Sequence, residues 1–120
     1  MSNTVEFKCA IATDSTLQGN PAQALPGLAA KTFKDGQDIL EQTYGSTLNP
    51  MESYLDITSL MQQAGRGAQG IVIGYKVGDP YSHAFNVVNQ FGAVRYIDGQ
   101  IGGGVKNIGQ YDYFWFIKTK

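Results

Sequence analysis

The spacing of apolar positions changes character about halfway along the chain. In the first half it is helical. Ile57, Leu60, Met61 and Ala64 follow an i, i+3, i+4, i+7 rule, Asp56 stands before them and Gly65 after them. That spacing predicts a helix capped by Asp56 and closed by Gly65. A second predicted helix has Asp35 as its cap, runs through Ile39, Leu40 and Tyr44, and ends at Gly45. Nearer the start, Cys9 to Leu17 reads as a helix rich in small residues, stopped by Gly19-Asn20-Pro21. Asn20-Pro21 is itself a cap and first-turn pair, so Ala22 to Leu25 predicts a short helix before Pro26-Gly27.

From Gly70 onward the pattern is that of strands. Ile71-Val72-Ile73-Gly74-Tyr75 is a buried-strand run, and Gly78-Asp79-Pro80 is a turn. Two more strands are predicted, His83 to Val88 and Ala93 to Asp98, followed by a glycine-rich loop from Gly99 to Gly104. The tail from Tyr111 to Ile117 is aromatic on both faces and reads as a covered strand. Helices followed by antiparallel strands predict an α+β domain.

The two central strands allow a register prediction. Gln90-Phe91 makes a poor two-residue turn, because neither residue favours positive φ. A four-residue loop, Asn89 to Gly92, has better turn chemistry. Val88 then faces Ala93, and His83 falls directly opposite Asp98, with Cβ atoms ~4.5–5.5 Å apart. A slip of one residue would send the two side chains to opposite faces.

Composition narrows the class. The 120 residues, 42% of them hydrophobic, suit one domain spanning 1–120 with its own core. A single cysteine excludes an internal disulfide. Net charge of −1, with scattered basic residues, argues against a nucleic-acid surface built on phosphate neutralisation. No apolar run approaches the ~20 residues that span a bilayer. Met1-Ser2-Asn3-Thr4 lacks the layout of a signal peptide, so the expectation is a cytosolic protein or a piece of a longer exported one. One His and one Cys are too few soft ligands for zinc, and Gly102 to Asn107 lacks the ending of a phosphate loop. No metal or cofactor is expected.

Three residues carry candidate chemistry. Cys9 stands at a predicted helix start, where the helix dipole and free N–H groups favour a thiolate. His83 would be the base, and Asp98 would fix its tautomer. The thiolate–imidazolium pair could then attack an acyl carbon, with the Cys9 N–H donating to the oxyanion. The plain alternatives are a small buried Cys, a strand-end His and an Asp-Gly turn.

These residues resemble the papain-fold toxin domains of bacterial polymorphic toxins, proposed as glutamine deamidases or peptidases. The likeness rests on the run from Cys9 to Pro26, on Gly70-Ile71-Val72, on Ser82 to Asn89 and on Tyr96-Ile97-Asp98-Gly99-Gln100. It implies a papain-like fold with the Cys9 helix packed on the sheet, Cys9 as nucleophile, His83 as base and Asp98 as orienting acid. Papain-like enzymes usually add an amide side chain as a second oxyanion donor. Asn3 upstream and Gln100 beyond Asp98 are the candidates.

The resemblance further implies secretion within a larger toxin, action in the cytoplasm of a target cell, a target-cell protein as substrate and a cognate immunity protein. Glutamine deamidation through a thioester is the leading expectation. A peptidase and a transglutaminase-like acyl transferase use the same steps. An RNase lacks support from a basic patch or a second His, and a binding module with no chemistry is the remaining alternative.

Overall fold

The computed structural model describes residues 10, 12, 33–78, 82–98 and 103–120. Helix α1, Phe33–Tyr44, is followed by strand β1, Asn49–Met51, and helix α2, Tyr54–Ala64. Strands β2, Gln69–Tyr75, β3, His83–Gln90, and β4, Ala93–Asp98, come next. A two-residue strand β5, Gly103–Gly104, a 3-10 turn at Ile108–Gln110 and strand β6, Tyr113–Lys118, complete the described chain. Ala10 and Ala12 are helical. The other positions of the helices predicted before residue 33 lie outside the described residues.

All strand pairs are antiparallel, in the order β1-β6-β2-β3-β4-β5. The arrangement is α+β, as predicted, but the helices do not all precede the strands. The short Asn-Pro-Met strand between α1 and α2 pairs with β6 at the sheet edge. Its proline hides it from pattern reading, and an edge position is where a proline is tolerated.

Helix boundaries also differ from expectation at their starts. Ser53, not Asp56, caps α2: its hydroxyl accepts the Leu55 N–H at 3.1 Å, and Asp56 sits in the first turn. Asp35 likewise lies in the first turn of α1 rather than at its cap. Both helices stop where predicted. Gly45 and Gly65 take positive φ, +62° and +89°, a conformation that glycine adopts without Cβ strain.

The sheet has two apolar faces. On one, Ile71, Ile73, Ala84 and Ile117 pack with Leu40 and Leu48 and with Ala10. On the other, Val72, Phe85, Val87, Phe114 and Phe116 pack with Ile57 and Met61 of α2. Ile57 and Met61 are fully buried, each contributing ~1.5–3 kcal/mol relative to exposure. Leu60, expected on the same stripe, is 44% exposed, because the inward stripe of α2 runs through Tyr54, Ile57, Thr58 and Met61 instead.

Candidate active site

Strands β3 and β4 carry two of the predicted site residues, and their register corrects the expected one. Gln90 pairs with Ala93, Val88 with Arg95 and Asn86 with Ile97. The hairpin loop is therefore Phe91-Gly92, not Asn89 to Gly92. Both loop residues have positive φ, +55° and +94°, the geometry of a type I′ turn. Asn89 sets this register. Its Oδ1 accepts the Gly92 N–H at 2.8 Å, and its Nδ2 donates to the Met61 carbonyl at 2.9 Å. Holding the strand end to α2 in this way outweighs the reluctance of Phe91 to adopt a left-handed backbone.

The correction moves Asp98 by two positions. Extending the observed pairing by one residue puts Asp98 across from Phe85, so His83 and Asp98 are diagonal rather than directly opposed. A two-residue shift preserves the face. The two side chains remain on the α2 side, at a Cβ spacing of ~7–8 Å that an imidazole can still bridge.

His83 opens β3, half-buried and paired with Gly74 of β2. The ring of Tyr111 covers Gly74: a Cβ there would meet Tyr111 Cγ at 2.7 Å. Tyr111 in turn lies 5.8 Å from the imidazole at 45°, stacks on Phe85 at 5.9 Å and meets Phe114 edge-on at 5.9 Å. The loop that carries Tyr111 is tied to the end of β2. The Asp112 N–H donates to the Tyr75 carbonyl, and the Asp112 carboxylate accepts the Val77 N–H at 2.7 Å.

Sequence reading missed Tyr111 and Gly74 in this role. Gly74 inside an apolar strand was the available signal, since such a glycine marks a close approach. It missed Asn86 as well. That side chain is fully buried on the α1 face and donates from Nδ2 to the Ala10 carbonyl at 2.8 Å. Ala10 thus sits against the face opposite to that of His83, three residues further along β3 and ~10 Å away along the strand. Cys9, Asn3 and Gln100 lie outside the described residues. Asp98 ends β4 and pairs with Gly103.

An apolar groove of about 510 Å³ opens beside this end of the sheet, lined by Pro50, Met51, Tyr75, Tyr113 and Trp115, with Glu52 as its one charge among the described residues. Tyr75 directly follows Gly74 in β2, so its side chain takes the face opposite to that of His83. On the α2 face, the Tyr96 hydroxyl donates to the Tyr54 carbonyl at 3.0 Å and lies 2.7 Å from Thr58 Oγ1. Burial raises the Tyr96 pKa above the ordinary tyrosine value, against the lowering effect of Thr58. Among the described residues no group of three His, Cys, Asp or Glu side chains could hold a metal. No described helix is long and apolar enough to cross a membrane.

A comparison with curated proteins finds no match. The comparison with protein families does. The profile described as papain fold toxin 1, glutamine deamidase, matches residues 7–103, a span that takes in Cys9, His83 and Asp98. The two described helices and the antiparallel sheet are compatible with a papain-like fold. By a match over most of its length, the chain belongs to the papain fold toxin 1, glutamine deamidase family.

Proposed function

We propose that the domain deamidates glutamine in a target-cell protein, with Cys9 as nucleophile, His83 as acid–base and Asp98 as the residue that orients it. The family match, over a span that includes these three positions, carries the reading. The common face of His83 and Asp98 supports it.

In this reading the Cys9 thiolate adds to the side-chain carboxamide carbon of the substrate. The tetrahedral intermediate collapses as the imidazolium of His83 gives its proton to the departing ammonia, leaving a thioester. Water, deprotonated by His83, then attacks the thioester, releasing glutamate and the thiolate. The Cys9 N–H donates to the oxyanion, with Asn3 or Gln100 as second donor. A peptidase or an acyl transferase would share every step but the leaving group or the final acceptor. As a toxin domain it would be delivered within a larger secreted protein, act in the recipient cytoplasm and be held inactive in its producer by an immunity protein.

The test is mass spectrometry of target-cell lysate treated with the protein or with C9A. Glutamine-to-glutamate conversion that C9A abolishes is the expected result. New chain ends would assign a peptidase instead, and shortened RNA with unchanged protein would assign a nuclease. Full activity in C9A would end the thioester mechanism.

A further inference from the structure

At the far end of β3, about 23 Å along the strand from His83, Phe91 combines two unfavourable features. Its backbone is left-handed, φ +55°, and its side chain is 84% exposed. The left-handed conformation costs an L residue roughly five- to thirtyfold in equilibrium population. The ring itself is met by the Arg66 guanidinium, 5.2 Å from its centroid. An exposed cation–π pair is worth only about two- to fivefold. Asn at this position would make the same turn without either penalty. Folding therefore does not account for the aromatic ring.

The surroundings say what the ring faces. A concavity of about 390 Å³ adjoins it, lined by Arg66, Gln69, Asn89, Gln90 and Lys120. The described side chains of this lining include two cations and no carboxylate. Arg95 adds a third cation nearby, its guanidinium donating to Gln90 Oε1 at 2.7 Å. Gln69 is 3% exposed, and its buried Oε1 has no hydrogen-bond partner.

We propose that Phe91, Arg66, Lys120 and the hollow between them form a docking surface for an acidic protein partner, one that offers an apolar socket to Phe91 ringed by carboxylates. Complementary charge supplies encounter rate and orientation, and the exposed ring supplies the anchor. The surface lies at the opposite end of β3 from His83, so a partner seated there leaves the His83 end of the sheet uncovered. The inference stands apart from the catalytic reading, and C9A protein should bind the partner as the unaltered protein does.

Two measurements decide it. The first is the melting temperature of F91N, expected to rise by about 2–6 °C. A lower one would make Phe91 a structural residue and overturn the proposal. The second pans displayed random peptides against the folded protein, with F91N in excess as competitor. Enriched sequences should place Asp or Glu around Leu, Phe or Trp, and a synthetic copy should bind F91N at least tenfold more weakly. No enrichment over F91N, or enrichment of basic sequences, would overturn it. So would binding of phosphatidylglycerol vesicles or of a single-stranded DNA oligonucleotide that F91N loses while no peptide binds.

Discussion

The ring of Tyr111 occupies the space that a side chain at Gly74 would need, with Tyr111 Cγ 2.7 Å from the position of the missing Cβ. Gly74 pairs with His83, so this one absent methyl group lets an aromatic wall stand beside the imidazole.

Replacing Tyr111 with Leu should therefore free the His83 ring while Tyr111→Phe should not. The chain has one histidine, so its C2 proton is a single assignable NMR signal. Loss of its ring-current shift in Y111L, its retention in Y111F, and a kcat about tenfold lower in Y111L alone are expected. An unchanged shift in Y111L would remove the positioning role. Gly74→Ala should reproduce the Y111L shift and destabilise the fold by about 1–3 kcal/mol, as overpacking does.

Asn89 joins the hairpin to α2 through two hydrogen bonds, from Nδ2 to the Met61 carbonyl and from the Gly92 N–H to Oδ1. Asn89→Ala breaks both and leaves a buried helix carbonyl without this donor. The expected loss is about 2–3 kcal/mol by denaturant titration. With the register anchor gone, residues 91 and 92 should also lose hydrogen-exchange protection first.

Asn86 fastens Ala10 to the sheet, with its own Oδ1 buried and unpartnered. Asn86→Leu should cost less than about 2 kcal/mol, because it removes that unmet oxygen together with the bond. It should nonetheless lower the alkylation rate of Cys9 and the amidase activity, since the segment beside Cys9 loses its tie. Wild-type alkylation in N86L would show that the tie does not matter to the thiol.

Tyr96 binds its proton more tightly in the folded chain than in the unfolded one, chiefly through burial. A group whose folded pKa is raised contributes stability that is complete below its unfolded value and is lost as pH climbs through the folded one. Stability should therefore fall from about pH 10 upward. Tyr96→Phe should flatten that fall while losing the hydroxyl contacts to Thr58 and Tyr54. Urea melts across that range, read with tyrosinate absorbance, check the sign.

Much of this protein is legible in its residue order. The helix ends at Gly45 and Gly65, the strands from Ile71 onward and the α+β class follow from apolar spacing and from glycine at left-handed positions. The shared face of His83 and Asp98 follows too, because alternation along a strand fixes which side a residue takes. Alternation has a period of two, however, and a shift of two positions leaves it unchanged. The register was therefore decided by Asn89 reaching across to Met61, a contact between residues 28 apart in sequence. Tyr111 beside His83 and Asn86 beneath Ala10 are likewise meetings of distant segments. Local pattern assigns each residue to a face, and only the packed chain sets which neighbour it finds there.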